Sequence, residues 1–382
     1  MKWRTKVKKV IALACVLSMT STMLLACGKK EAKVEADEPI YIGTSFPMTG
    51  SVAADGKLIV EAIDLAVSQV NEAGGINGRM VELVKEDDEA APTSAAAVAN
   101  KFVENDKVLG VLSSYNSSCM FAQVPVYDEA GLPSISPVAT NPGLTGISKY
   151  FYRTAPNDAD VGADGAAFCG DLGWKNVALL YENDDYGLGI ANEFRANAEK
   201  LGLNIVTEQT FVYGETVDFS TILTAVSESG AEGMFIAGLV TESGLICEQK
   251  ASYGCENVGI VGANGLYSPA IYEYGDAVEG IYVLGEFSPE DENETTQKFV
   301  ETYKEKYGSE PGNWSALAYD AAMVMMEAMK SVEGDLTRES LNDAIAATDY
   351  QGVSGNYKFE NSNCTKSEMR FVLKDGKFEI YK

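Results

Sequence analysis

From residue 40 onward, short apolar runs alternate with longer stretches in which apolar residues recur every three or four positions. Residues 40–45 have the character of a strand. Leu58, Ile59, Ala62, Ile63, Ala66, Val67 and Val70 then share one face at helical spacing. Asn71-Glu72-Ala73-Gly74-Gly75-Ile76-Asn77-Gly78 stops that helix with glycines and opens a strand at 80–84. The alternation predicts a helix over 93–105, a strand over 108–112, a helix over 118–130 and a strand over 132–136. After residues 150–156 a second set begins, with helices at 159–172, 187–201, 220–229 and 243–253. Its strands fall at 177–181, 204–211, 233–237 and 258–262. Helices at 295–307, 315–330 and 336–347 follow, and 370–373 and 378–381 form a hairpin with Asp375-Gly376 in its turn. Strands alternating with helices of this length imply right-handed βαβ crossovers and parallel sheets covered by helices. Two such sets and a helical return predict an α/β chain of two lobes, crossed more than once.

Composition narrows the chemistry. Histidine is absent from all 382 residues, which removes Ser-His-Asp and Cys-His catalysis, histidine metal sites and imidazole proton shuttles together. The cysteines beyond Cys27 are Cys119, Cys169, Cys247, Cys255 and Cys364, with no metal-like spacing. Cys247 and Cys255 are near enough in sequence for a bridge, but scattered small hydrophobes are the better expectation. No metal or other cofactor is expected. The formal charge of −26 disfavours a nucleic-acid partner, which requires a basic footprint.

The first 38 residues have a separate logic. Lys2, Arg4, Lys6, Lys8 and Lys9 precede an apolar stretch, and no acidic residue occurs before Glu31. A basic head, an apolar middle and a small residue at the cut describe a secretory signal. Its end, Leu24-Leu25-Ala26-Cys27, resembles the bacterial lipoprotein signal, in which the cysteine becomes the lipidated first residue. The resemblance implies a signal peptide over 1–26, lipidation at Cys27 and a polar tether over 27–38. The protein is then expected outside the cytoplasmic membrane, held there by lipid. About 344 residues remain, enough for two lobes.

Four stretches of that body carry a more specific resemblance. They are Ile42-Gly43-Thr44-Ser45-Phe46-Pro47-Met48-Thr49-Gly50, the Asn71 to Gly78 turn, Gly131-Leu132-Pro133-Ser134-Ile135-Ser136-Pro137-Val138-Ala139-Thr140-Asn141-Pro142, and Phe151-Tyr152-Arg153-Thr154-Ala155-Pro156-Asn157-Asp158. In this order they resemble the type I periplasmic binding proteins that serve branched-chain amino acid ABC transporters. The resemblance implies two doubly wound parallel-sheet lobes joined by a multi-strand hinge. Lobe I is expected over 39–155 and 286–351, and lobe II over 156–285 and 352–382. Ligand is held between the lobes and delivered to a membrane permease.

A zwitterion taken out of water needs donors for its carboxylate and acceptors for its ammonium. By the resemblance, Ser117 binds the carboxylate, although a serine opening a helix is also an ordinary N-cap. The ligand loop contributes Val138, Ala139 and Thr140, through backbone groups and the threonine hydroxyl, with Pro137 and Pro142 stiffening it. Asp158 is placed to meet the ligand amine, and is equally an N-cap for the helix after it. From the second lobe come Tyr186, Leu239 and Asn264. Leu239 sits where relatives often place an aromatic residue, and Asn264 where branched-chain binders carry an acid. That departure leaves two readings open: Asp158 supplies the charge alone, or the ligand is an amide or urea rather than a plain α-amino acid.

Other functions fare less well. No G-x-G-x-x-G or Walker A segment follows a strand, and a hydrolase would rest on carboxylates such as Asp184-Asp185 or Asp87-Asp88-Glu89 alone. A ligand-sensing ectodomain would share the fold. The expectation is therefore a non-enzymatic solute-binding component of an ABC importer, with the sensor as the nearer alternative and the hydrolase the remote one.

Overall fold

The computed structural model describes residues 38–382 apart from 365 and 367. Cys27, the signal peptide and nearly all of the tether lie outside the described residues.

The first sheet is parallel throughout, in the order β2-β1-β3-β4-β5. Its strands are β1 (Ile40–Phe46), β2 (Val81–Asp87), β3 (Val108–Ser113), β4 (Ser134–Ser136) and β5 (Phe151–Arg153). Central β3 is buried along its whole length, as a parallel strand covered on both faces must be. Helices α1 (Ala53–Glu72), α2 (Pro92–Glu104) and α3 (Ser117–Ala130) connect these strands. On α1, Ile59, Ala62, Ile63, Ala66, Val67 and Val70 of the predicted stripe are buried, Leu58 is only half-buried, and Val60 and Leu65 beside the stripe are buried as well.

The second sheet repeats that winding. It runs β7-β6-β8-β9-β10 in parallel, and β14 and β15 extend it antiparallel beyond β10. The strands are β6 (Asn176–Glu182), β7 (Asn204–Phe211), β8 (Gly233–Ala237), β9 (Gly259–Gly262), β10 (Tyr282–Gly285), β14 (Met369–Lys374) and β15 (Lys377–Ile380). Helices α4 (Asp158–Asp171), α5 (Asp185–Leu201), α6 (Ser220–Ser229) and α7 (Val240–Gln249) cover it. The expected 243–253 helix is thus α7 followed by a short 3₁₀ turn, Lys250–Tyr253. Strand β10 was not expected, because its four residues follow a 3₁₀ stretch rather than a helix.

Between β10 and β14 the chain returns to the first lobe. There α8 (Glu294–Tyr307), α9 (Asn313–Ser331) and α10 (Arg338–Ala346) pack, with α9 lying along α1 and buried over most of its length. A small sheet of β11 (Asp349–Gln351), β12 (Asn356–Glu360) and β13 (Asn363–Cys364) follows. Residues 352–364 were expected to belong to lobe II. They are bonded instead to the first crossing and to α9: Arg153 N donates to the Ser362 carbonyl at 3.0 Å, and Val353 N to Asp320 at 2.8 Å. The chain joins the second sheet only at Met369.

In both sheets the winding reverses direction, between β1 and β3 and between β6 and β8. Loops at the carboxyl ends of such strands are where doubly wound folds bind ligands. Here those loops face each other. Among the described residues no helix is long and apolar enough to cross a membrane, and Cys119, Cys169, Cys247, Cys255 and Cys364 are buried free thiols.

Candidate functional site

The facing loops enclose a cavity of about 10 Å³, room for about one water. Tyr115, Asn116, Ser117, Val138 and Trp314 line it from the first lobe, and Tyr186 and Leu239 from the second. Four of the expected residues, Ser117, Val138, Tyr186 and Leu239, therefore meet at one point. The other four, Ala139, Thr140, Asp158 and Asn264, are buried but stand outside that lining. Tyr115, Asn116 and Trp314 were not singled out in the sequence. Tyr115 and Asn116 adjoin Ser117, so only their proximity to it could have flagged them, and Trp314 opens a helix with no motif of its own.

Ser117 is the first helical residue of α3. The N-cap is Asn116, whose backbone is extended, so the capping alternative for Ser117 does not apply. Its Oγ accepts a bond from Asn141 N at 3.2 Å, which leaves the hydroxyl proton free for an anion at the start of the helix. The loop of Val138, Ala139 and Thr140 is held from below. Ser136 Oγ accepts from Ala139 N at 2.9 Å, and Thr140 O accepts from Asp158 N at 3.0 Å. Buried Arg153 adds bonds to the Asn141 carbonyl at 2.9 Å, Thr145 Oγ1 at 2.6 Å and Asn363 Oδ1 at 2.7 Å. Burial lowers its pKa to about 10.

At Asp158 too, the cap lies one residue earlier: the Asn157 side chain accepts from Ala159 N at 2.7 Å. Among the described residues, neither carboxylate oxygen of Asp158 has a hydrogen-bond partner, and nor does the Thr140 hydroxyl. Burial pushes the Asp158 carboxyl up to about 8, against the lowering effect of adjacent Thr140 and Arg153. Its Oδ2 faces Gly189 of α5, where a Cβ would lie 2.6 Å away. Any side chain there would displace the Asp158 carboxylate and the Asn141 amide, which would lie 2.9 Å from the same Cβ.

On the second lobe, Tyr186 OH donates to Asn264 Oδ1 at 3.0 Å and accepts from Gly265 N at 3.0 Å. Asn264 Nδ2 donates to Glu286 Oε1 at 2.7 Å, and Asn313 Nδ2 donates to Glu286 Oε2. Burial raises the Glu286 pKa, while the two asparagine amides and Lys366 oppose the rise. Glu182 Oε1 accepts from Leu239 N at 2.7 Å, and burial holds this carboxyl well above its usual range. Asp55 accepts from Tyr115 OH at 2.9 Å and is also raised by burial. Buried carboxyls thus stand directly behind Tyr115, Leu239 and Asn264, and burial favours their neutral form unless a cation comes beside them. Among the described residues no group of three or more Cys, Asp or Glu is arranged to hold a metal ion.

The lobes are bonded to each other around this cavity. Ser51 Oγ donates to Tyr213 OH at 2.9 Å, Ser268 Oγ to Asp55 Oδ1 at 2.6 Å, and Asn141 Nδ2 to the Asp185 carbonyl. This is a closed arrangement.

The family model described as "Periplasmic binding protein" matches residues 39–373. An amino acid binding protein of Pseudomonas aeruginosa is 36% identical over 217 residues, which span 56% of this chain and 58% of that protein. The Leu/Ile/Val-binding protein homolog 2 of Brucella abortus is 30% identical over 329 residues, 84% of this chain and 86% of the relative. In structure, the chain is similar to the branched-chain amino acid transporter substrate binding protein LivJ from Streptococcus pneumoniae in complex with isoleucine. That likeness has a TM-score of 0.83 and 30% identity, and covers 89% of this chain and 98% of the other.

Proposed function

This chain belongs to the periplasmic binding protein family, and on that footing we propose that it captures a small aliphatic amino acid between its lobes and delivers it to an ABC permease. The observation that carries the reading is the two-ended character of the inter-lobe cavity. At one end Ser117, with a free hydroxyl proton at the start of α3, suits a carboxylate. Val138, Leu239 and Trp314 offer an apolar wall for an aliphatic side chain. The relatives named for leucine, isoleucine and valine point to the same ligand class.

The action is capture rather than catalysis. A ligand drives closure only through contacts it makes in the closed state, since equal affinity for both states shifts nothing. A cavity as small as the present one has to open for any amino acid to enter. The crossings near residues 155 and 285, and the last one, which ends at Met369, would act as the hinge for this motion. Lipidation at Cys27 would hold the protein beside its permease, and loss of fatty-acid label in Cys27→Ala would test that attachment.

The ligand itself is tested by thermal shift of the protein against all amino acids, simple amides and urea. Stabilisation by leucine, isoleucine or valine is expected, because a ligand that binds only the folded state raises the melting temperature. A response confined to amides or urea would overturn the amino-acid reading and leave the capture mechanism standing.

A further inference from the structure

A buried ammonium requires a negative partner, yet none of the seven residues lining the cavity is acidic. Asn264 stands immediately behind the second-lobe wall, in contact with Tyr186 and next to Gly265. A Cβ on Gly265 would lie 2.6 Å from Tyr186 OH and 3.2 Å from Leu239 Cδ2, so this backbone abuts both wall residues. Behind Asn264 the bonding is continuous. Its Nδ2 donates to Glu286, whose other oxygen accepts from Asn313 Nδ2 and whose backbone N donates to Asn313 Oδ1 at 3.0 Å. Glu286 is 4% exposed, and both of its carboxylate oxygens are fixed by asparagine amides.

We propose that Glu286 is the positioning residue for the ligand ammonium and acts through Asn264, whose carbonyl oxygen it orients and polarises. This rests on the amino-acid reading given above. An amide that donates to a carboxylate on one side becomes a stronger acceptor on the other, because hydrogen-bonded chains in a low-dielectric interior reinforce one another. The arrangement fixes the Asn264 amide in one orientation: Nδ2 faces Glu286 and Oδ1 faces the cavity wall at Tyr186. Glu286 also immediately follows β10, at the start of the crossing to α8. The same group therefore links the ammonium end of the site to the hinge.

The test is calorimetric titration of leucine into the protein, Glu286→Gln, and the double variant Asn264→Asp with Glu286→Gln. Replacing the Glu286 carboxyl with a neutral amide should weaken leucine about tenfold or more, the scale of one hydrogen bond to a charged group, since a bound ammonium beside Asn264 draws the carboxyl into its ionised form. In the double variant the introduced aspartate presents a carboxylate directly while the introduced glutamine donates to it, and affinity should return to within a few-fold of the original. Melting of each ligand-free variant separates lost binding from lost folding. Leucine affinity unchanged in Glu286→Gln, or unrestored in the double variant, would overturn the proposal. Failure of the unsubstituted protein to bind any amino acid would instead overturn the functional reading on which it rests.

Discussion

The Ser268 hydroxyl donates to Asp55 Oδ1 at 2.6 Å, so a carboxylate at the start of α1 is bonded directly to the second lobe. Both residues are buried, and the other Asp55 oxygen accepts from Tyr115, which lines the cavity. Lobe closure and the cavity wall therefore share one carboxylate.

Ser268→Ala removes a hydrogen bond made only when the lobes are closed. Such a bond contributes about 1.5–3 kcal/mol when the carboxyl is ionised, so ligand affinity should fall roughly ten- to hundredfold through the closure equilibrium. Ser268 also accepts from Ala270 N at 3.2 Å within its own lobe, and that smaller loss should appear in the melting of the ligand-free protein. Small-angle scattering would report the shift as a larger radius of gyration without ligand. An unchanged radius together with unchanged affinity would remove the latch.

Asp158 makes stability depend on pH in a stated direction. Its folded pKa is raised to about 8 from an ordinary value of 3.8, chiefly by burial. Between those values the folded state holds a proton that the unfolded state has released. Stability from this group is fully present below about pH 4 and is lost as pH rises toward 8, at up to about 1.4 kcal/mol per pH unit. Asp158→Asn should flatten that part of the profile and raise the melting temperature near pH 8. Urea unfolding of both proteins at intervals from pH 4 to 8 measures it, and parallel profiles would contradict the assignment.

The fold and the position of the site were legible for different reasons. Regular apolar spacing on α1 and continuous apolar runs such as β3 reflect burial against one sheet, which sequence records directly. Ser117, Val138, Tyr186 and Leu239 were reachable through the family resemblance, and each lies shortly after a strand end, in a loop or at a helix start. Asp55 and Glu286 were not. Their roles depend on partners 60, 213, 22 or 27 residues distant in the chain, which meet only through tertiary packing. Trp314 likewise reaches the cavity only through tertiary packing, its ring set edge-on to that of Tyr115. Strand β10 escaped notice because a 3₁₀ stretch and not an α-helix precedes it.

Ser117→Ala separates ligand binding from helix capping. Asn116 occupies the N-cap and its side chain makes no capping bond, so the serine hydroxyl is not required for α3 to start. The substitution also removes the acceptor for Asn141 N. Affinity for the amino acid should fall about tenfold, with ligand-free melting lowered by no more than the roughly 1 kcal/mol of one ordinary hydrogen bond. Equal loss in both measurements would make Ser117 a loop anchor and nothing more.

Arg153 ties three separate segments together. It is fully buried, and its guanidinium reaches the ligand loop at Asn141, the following turn at Thr145 and the small sheet at Asn363. A lysine presents a point charge in place of the planar fork and cannot serve these three acceptors together. Arg153→Lys should therefore destabilise the protein by about 3 kcal/mol, the scale for breaking a buried charged network. It should also weaken ligand binding, because Asn141 donates to Ser117 and bonds to Asp185 of the other lobe. Urea unfolding and ligand titration of the same variant measure the two effects. A stable variant with reduced affinity would limit Arg153 to holding the ligand loop, and a stable variant with full affinity would remove it from both roles.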